Sequence, residues 1–394
     1  MAADFWASTH GRHWILDKKT LQESRKMDLL FISEIELAKL RIWYANLMHN
    51  LGKRLNVKQV IMATAITYFK RFYTKNTYRH TDPNLVAATC MYLACKMEES
   101  PHHIKNVISE MRNEMRNIAV NCKKTASTIA NEQSTFSYDN QKVAEMEFYL
   151  LEELDFNLIV FHPYRTLTTL AQELGQKHEA IRDAWTIVND SYKTDLCLSH
   201  PPHMIAIAAL YIPIAIKLGE FGFSGKLKKW FYSLNVDMEE IAVIVQEILS
   251  LYELWSTYSD DQIPKIYEKL KIPTAADIED ALIATINTTT TSTTSIPTTI
   301  TKIPTATTAS ITTIKSEEII PEIEMLEEHD DNNNQDVPFR ATVSATEEID
   351  QEFYNDDKDF EFVLNFRRNN SIVKQELQSD LLIVKPYTVA PYTL

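Results

Sequence analysis

Residues 82–93 read DPNLVAATCMYL and residues 201–212 read PPHMIAIAALYI, so one pattern occurs twice at an offset of 119 residues. In both copies a proline is followed by apolar residues interspersed with alanines, and Tyr73 and Tyr192 each lie ten residues before that proline. Alanines let neighbouring helices approach closely, so both stretches are expected at the centre of a helical bundle. The offset is too long for a solenoid. We interpret the repeat as a duplicated helical bundle, with chance similarity of two alanine-rich buried helices as the alternative.

Helix-start signals surround these two stretches. Each consists of a Ser, Asn or Asp that can cap a helix, followed by a Glu or Gln three residues later or by proline at the first helical position. The pairs are Ser33 with Glu36, Asn56 with Gln59, Asp82 with Pro83, and Asp237 with Glu240. Signals for β-strands, such as Asn-Gly turns between alternating runs, are nearly absent. The sequence predicts an all-α fold.

Charge divides the chain into two unequal parts. Residues 271–394 hold 22 acidic and 9 basic side chains, which leaves residues 1–270 with 32 acidic and 31 basic ones. The first part therefore lacks the basic excess that drives binding to a phosphate backbone, and no direct nucleic-acid contact is expected. Residues 285–313 contain 15 Thr and 3 Ser, a composition that cannot form an apolar core. We expect residues 271–394 to be mostly disordered.

The positions of the glycines, the spacing of the cysteines and the length of the longest apolar run argue against several classes of function. All six glycines lie before residue 226 and none forms a Gly-rich phosphate loop, so an ordinary nucleotide-binding enzyme is not expected. The four cysteines show no C-x-x-C spacing, which favours reduced thiols and gives no readable zinc site. The longest apolar run, residues 204–216, is shorter than a membrane span and contains Pro213. We expect no catalytic residues, no cofactor, no metal and no membrane partner.

Three further stretches resemble the cyclin family. YFKRFY at residues 68–73 and YLACKMEE at residues 92–99 are similar to the second and third helices of a cyclin box, and EMEFYLLE at residues 145–152 is similar to the fifth. Within the family, the resemblance is strongest to the cyclin C branch, the cyclins of the Mediator kinase module of RNA polymerase II. The segments that carry this second resemblance are residues 5–10, 14–17, 160–165, 187–192, 194–198, 201–206 and 234–239.

The resemblance implies two tandem five-helix cyclin boxes. The expected divisions are an N-terminal helix and linker at residues 1–32, a first box at 33–158, a second box at 159–270 and the disordered tail at 271–394. Residues 110–140 follow the family pattern poorly, so the contacts made there are not predicted.

The resemblance also implies a kinase-binding surface. Cyclins use a lysine at the position of Lys96 to hydrogen-bond carbonyls around the regulatory helix of the kinase, and Glu147 matches the acidic partner of that lysine, with Phe148 and Leu151 beside it. From the residues alone, a lysine at this position is usually a solvated charge that complements the end of its helix, and Glu147 is an ordinary surface carboxylate. The periodicity places Lys96 at the edge of an apolar stripe that ends at Met97.

Glu98 and Glu99 follow at the end of the same helix, where negative charge is unfavourable. Either an internal basic group such as Lys96 compensates them, or they face arginines of the kinase.

The function expected from the resemblance is that of a regulatory subunit in the nucleus that activates a Mediator-associated cyclin-dependent kinase and contacts other subunits of the kinase module. Cyclins of the elongation kinase or of the general-factor kinase are the nearer alternatives. A TFIIB-type transcription factor shares the duplicated fold, but it would need a zinc ribbon and a basic face. In the tail, Lys315 and Lys374 lie in apolar-Lys-x-Glu patterns that resemble SUMO acceptor sites.

Overall fold

The computed structural model describes residues 4–121, 136–175, 178–218 and 229–270, except 232 and 235, and all of these belong to one compact unit. Within these ranges every regular element is a helix, which confirms the all-α prediction. The proposed domain boundaries remain predictions, and the predicted disordered tail, with Lys315 and Lys374, lies outside the described residues.

Two short helices open the chain, α1 (Thr9–His13) and α2 (Lys18–Arg25), before a 3-10 turn at Asp28–Leu30. Five longer helices follow in the first half of the duplicated bundle. They are α3 (Glu34–Leu55), α4 (Gln59–Lys75), α5 (Pro83–Met97), α6 (Ile104–Asn121) and α7 (Asn140–Glu153).

The helices that follow form the second half. Its helices are α8 (Tyr164–Glu173), α9 (His178–Ser191), the short α10 (Leu196–Ser199), α11 (Pro202–Leu218) and α12 (Met238–Ser256), with further helical residues at 229–231 and 233. A 3-10 turn at Asp260–Gln262 leads to α13 (Ile263–Leu270), which packs on α3.

The duplicated stretches form the central helix of each half. α5 packs against α3, α4, α6 and α7, while α11 packs against α8, α9 and α12. Ala87 and Ala88 of α5, and Ala206, Ala208 and Ala209 of α11, are fully buried. Because a methyl side chain lets the backbones of neighbouring helices approach, the alanines explain how one helix can contact so many others.

Local capping explains where most helices begin. Ser33 and Glu36 form a reciprocal capping box at α3, Asp82 accepts hydrogen bonds from two amides of α5 with Pro83 at its start, and Asp237 accepts from Glu239 at α12. These three predicted starts are confirmed. The fourth was wrong, because Asn56 ends α3 in a left-handed conformation with φ of 53° and α4 begins after Lys58. Asparagine tolerates this conformation better than most residues, so it served as a helix terminator.

The N-terminal segment is anchored to both halves of the bundle. His10 is buried and its Nδ1 accepts a hydrogen bond from the amide of Phe161 at 3.0 Å, while the amide of Leu16 donates to the carbonyl of Leu198 at 2.7 Å. Buried Trp14 lies under the guanidinium of Arg71, 4.8 Å from the ring centroid. Ser8 and Asp17, both within the quoted cyclin C-like segments, cap α1 and α2.

Among the described helices, none combines the length and the apolar content needed to cross a membrane.

Candidate functional site

Lys96 and Glu147 meet where the end of α5 packs on the middle of α7. The ammonium Nζ of Lys96 contacts Oε1 of Glu147, although the two residues are 51 positions apart in the chain. The same Nζ lies 4.5 Å from the centroid of the Tyr92 ring, one helical turn earlier on α5. The structure thus brings together the lysine and the acid that the family resemblance paired.

The pair is unequally exposed. The Lys96 side chain keeps 38% of its surface accessible to solvent, whereas the Glu147 side chain keeps 12%. An ammonium has three donor hydrogens, so its contact with Glu147 leaves donors for a further acceptor. The geometry therefore holds the Lys96 ammonium in place at the surface, where a partner can reach it.

Exposed apolar side chains flank this pair. Phe148 is 75% exposed, and Leu151, three residues later on the same face of α7, is half-buried. Beyond the end of α7, Phe156 and Ile159 are 70% and 64% exposed. Large apolar groups in water are unfavourable unless a partner covers them, and clusters of such groups mark interaction sites. We call Lys96, Glu147, Phe148 and Leu151 the α5–α7 surface.

Met97 also belongs to the exposed part of α5. The periodicity predicted that it continues the buried stripe of Val86, Cys90 and Leu93, but it is 40% exposed while those three are buried. That part of the prediction was wrong, because Met97 is the last residue of α5 and is exposed, although Ala94 and Cys95 in the same turn are fully buried. Met97 therefore adds apolar area next to Lys96.

Glu98 and Glu99 point to different surroundings. At the end of α5, the amide of Ser100 donates to the carbonyl of Cys95 at 2.9 Å and the amide of Glu99 to that of Lys96 at 3.3 Å, a Schellman arrangement. This places Glu99 in the left-handed region with φ of 54° and leaves its side chain exposed. Glutamate is disfavoured in that conformation, so the turn is strained.

Glu98 has an internal partner, which is Thr64 rather than Lys96. The Thr64 hydroxyl donates to Oε1 of Glu98 at 2.7 Å, and burial raises the pKa of the Glu98 carboxyl despite that hydrogen bond. Of the two glutamates predicted to face kinase arginines, only Glu99 is exposed.

A buried polar chain continues behind Glu98, and sequence reasoning gave it no role. Nε2 of His162 lies 2.8 Å from the Thr64 hydroxyl, and its Nδ1 lies 2.6 Å from the Tyr192 hydroxyl. Since Thr64 donates to Glu98, His162 donates from Nε2 and accepts at Nδ1. Burial lowers the pKa of His162 to about 3, so the ring is neutral. His162 and Tyr192 both lie in quoted cyclin C-like segments, which was the signal available in the sequence.

Comparisons with known proteins identify relatives of the chain. Residues 13–159 match the family described as "Cyclin, N-terminal domain". The chain is 42% identical over 274 residues to Cyclin-C of Drosophila pseudoobscura pseudoobscura, an alignment that spans 69% of this chain and 98% of the relative. It is 40% identical to Cyclin-C of Rattus norvegicus, spanning 69% of this chain and 92% of the relative. It is 34% identical to the "RNA polymerase II holoenzyme cyclin-like subunit" of Aspergillus oryzae, spanning 68% of this chain and 97% of the relative.

Proposed function

Because the chain belongs to the cyclin family, we propose that it is the regulatory subunit of a transcriptional cyclin-dependent kinase of the Mediator complex. It acts in the nucleus together with other subunits of the kinase module, and it contributes to the control of RNA polymerase II transcription. The chain itself is not the catalyst, since its role is to bind and activate the kinase.

The α5–α7 surface carries this proposal. The Lys96 ammonium, fixed by Glu147 and Tyr92, presents hydrogen-bond donors beside the exposed ring of Phe148. Unpaired carbonyls at a helix end are natural acceptors for an ammonium, and an apolar helix face is the natural cover for a phenyl ring. A regulatory helix of a kinase, with its terminal carbonyls at Lys96 and its apolar face on Phe148 and Leu151, has both features.

Activation follows from selective binding. A protein kinase is active when its regulatory helix is placed so that a lysine and a glutamate of the kinase form an ion pair. A partner that binds only this placement shifts the kinase population toward the active state by its difference in affinity for the two states. The packing of α5 against α7 makes the surface suitable, because side chains already placed on two packed helices lose little conformational entropy on binding.

Glu99 is a further contact in this proposal. Its carboxylate is exposed at the end of α5, directly after the lysine that anchors the regulatory helix. Basic residues of the kinase's activation segment are suitable partners for it. Glu98 contributes indirectly, because its bond to Thr64 fixes the turn from which Glu99 projects.

A pull-down tests the choice of partner. The full chain is immobilised and offered, in separate reactions, a Mediator-type cyclin-dependent kinase, the elongation kinase, the general-factor kinase and a cell-cycle kinase. The proposal expects retention of the Mediator-type kinase above the others. Retention of the cell-cycle kinase alone overturns the proposal. Preferential retention of another transcriptional kinase would assign this chain to the cyclins that bind that kinase.

A further inference from the structure

The polar chain behind Glu98 connects the end of α5 with the second half of the bundle. Glu98 directly follows α5, Thr64 lies on α4, His162 lies just before α8, and Tyr192 directly follows α9. The contacts along this chain, from Tyr192 to Glu98, are 2.6, 2.8 and 2.7 Å long. All three distances are those of hydrogen bonds. We call these four residues the hydrogen-bond relay.

The carboxylate at one end fixes the direction of every bond in the relay. A carboxylate only accepts, so the single hydroxyl proton of Thr64 is directed to Glu98. The Thr64 oxygen therefore accepts from Nε2 of His162, and Nδ1 of the neutral ring accepts from the Tyr192 hydroxyl. Hydrogen bonds that point the same way polarise and strengthen one another. Tyr192 thus supports the Glu98 carboxylate from the second half of the bundle.

The members of the relay that support Glu98 are closed to solvent. Thr64 and Tyr192 are 0% and 2% exposed, so water outside the protein cannot replace either hydroxyl. A valine at position 64 would have nearly the size of threonine, which leaves no space for a buried water. Removing one hydroxyl therefore leaves the next member of the relay without its partner, which is unfavourable for a buried polar group.

The residue next to the relay has a strained backbone. Glu99 has φ of 54°, and a residue in this region keeps its conformation only where the surrounding structure holds it there. On its far side lies the His102 ring, with Nδ1 2.9 Å from the carbonyl oxygen of Ser100 and Nε2 3.1 Å from that of Leu55, the last residue of α3. The relay and His102 therefore hold the turn around Glu99 from both sides.

The position of this turn matters because Glu99 is the exposed carboxylate that the proposed function directs to the kinase. If the turn loses one of its supports, Glu99 is in the binding arrangement for a smaller fraction of the time. The apparent dissociation constant of the kinase then rises in inverse proportion to that fraction.

From this geometry we infer that Thr64, His162 and Tyr192 are positioning residues for kinase binding, which act through Glu98 on the turn that presents Glu99. The inference rests on the proposed function and extends it. It gives a part in kinase binding to the second half of the bundle, which contributes no residue to the α5–α7 surface.

Calorimetric affinity of the full chain for a Mediator-type cyclin-dependent kinase tests the inference, with urea unfolding of the same preparations to show that each variant folds. Thr64→Val should raise the dissociation constant about three- to tenfold, because Glu98 loses its donor. Thr64→Ser keeps the hydroxyl and should bind as the unmodified chain does. Tyr192→Phe removes only the first donor of the relay, so it should weaken binding less, by about twofold or more.

Tyr252→Phe is the matched control for Tyr192→Phe. Tyr252 is 1% exposed, belongs to the second half, and donates to Oδ2 of Asp190 at 2.8 Å, outside the relay. Its variant also loses one buried hydroxyl bond, but it should bind the kinase as tightly as the unmodified chain. This comparison separates a general loss of stability from an effect on the turn.

A double-mutant cycle shows whether the relay acts through Glu99. Glu99→Gln removes the charge that faces the kinase, so the position of this side chain should then matter little. Adding Thr64→Val to Glu99→Gln should weaken binding by less than about twofold. A general structural role of Thr64 would instead give the full loss in both backgrounds, because independent effects add.

Two sets of outcomes distinguish this inference from the proposed function. Undiminished binding by folded Thr64→Val or by folded Tyr192→Phe, an equal loss in Tyr252→Phe, or the full loss in the Glu99→Gln background would each overturn the inference. The proposed function would still stand in these cases, provided that the unmodified chain binds the kinase and Lys96→Glu does not. Failure of the unmodified chain to bind a Mediator-type kinase would overturn both.

Discussion

The Lys96 ammonium contacts the Glu147 carboxylate across the boundary between α5 and α7, and the Tyr92 ring lies beneath it. One residue of this pair is largely buried and the other keeps over a third of its surface in water. The Lys96 ammonium is thus an oriented donor at the surface. Its contribution to binding and its contribution to folding can be measured side by side in the same variant.

Lys96→Glu should abolish tight kinase binding. The change puts a carboxylate against the helix-end carbonyls of the kinase, which should weaken binding by about 2–5 kcal/mol. The free energy of unfolding should change less than the binding free energy, although the new carboxylate also lies against the largely buried Glu147, and reversing both residues relieves that repulsion. Calorimetric affinity and urea unfolding of the same preparation measure the two effects.

Two companion variants sharpen that comparison. Lys142→Glu, on α7 and likewise a lysine paired with a nearby glutamate, Glu145, should leave kinase binding unchanged. The double change Lys96→Glu with Glu147→Lys restores an internal ion pair and so should restore stability, but not kinase binding. Equal losses of stability and binding in Lys96→Glu would mean that the lysine is structural.

Phe148→Ala should weaken kinase binding and leave folding intact. The ring is 75% exposed, so truncating it creates no cavity, and stability should stay within about 0.5 kcal/mol. If the ring packs into the kinase, affinity should fall by about 1–3 kcal/mol. Leu30→Ala, a similarly exposed apolar residue in the N-terminal segment, is the control and should bind normally. Unchanged binding of Phe148→Ala would remove this ring from the interface.

The duplicated central helices should respond alike to truncation. Leu93 of α5 and Ile212 of α11 occupy equivalent positions of the repeat and are 3% and 0% exposed. Each change to alanine should lower the free energy of unfolding by about 2–5 kcal/mol. Ile35→Ala, at a position 60% exposed, should cost under about 0.5 kcal/mol. A small effect at only one of the two buried positions would show that the halves are not equivalent in packing.

Helix starts and close helix packing were predictable from the sequence, because both depend on residues near each other in the chain. Ser33, Asp82 and Asp237 cap helices through bonds within three residues, and the alanines of the repeat specify close packing. Asn56 was misassigned because the same residue type can begin or end a helix, and only the neighbouring geometry decides which.

Contacts between distant residues were not predictable in this way. Glu98 meets Thr64, and Asp195 gathers Arg25, Arg41 and Lys70, through packing that no local spacing encodes. The pairing of Lys96 with Glu147 was anticipated only through the family resemblance. Met97 was placed in the core because periodicity does not report where α5 itself ends.

Acid should destabilise the fold through two buried histidines. Burial lowers the pKa of both His10 and His162 to about 3, against 6.5 in the unfolded chain. Between these values the unfolded chain binds more protons, so the free energy of unfolding falls as pH decreases from about 6.5 toward 3, by up to about 1.4 kcal/mol per pH unit for each histidine. Urea unfolding between pH 7 and pH 5 measures the slope.

His162→Gln should reduce the pH dependence of the free energy of unfolding by up to about 1.4 kcal/mol per pH unit, the contribution of one histidine. This holds even though the variant is expected to be less stable at pH 7. His13→Gln, which changes an exposed histidine, should leave the slope as it is. A slope that persists unchanged in His162→Gln would contradict the assignment of a neutral buried ring.

The most direct test of the account is a kinase assay with a purified Mediator-type cyclin-dependent kinase titrated with this chain. Phosphorylation of a substrate peptide should rise from a low basal rate and saturate at a one-to-one ratio with the unmodified chain and with Lys142→Glu, while Lys96→Glu should give no activation at the same concentrations. Activation by Lys96→Glu equal to that by the unmodified chain, or no activation by the unmodified chain despite stable binding, would contradict the claim that the α5–α7 surface switches this kinase on.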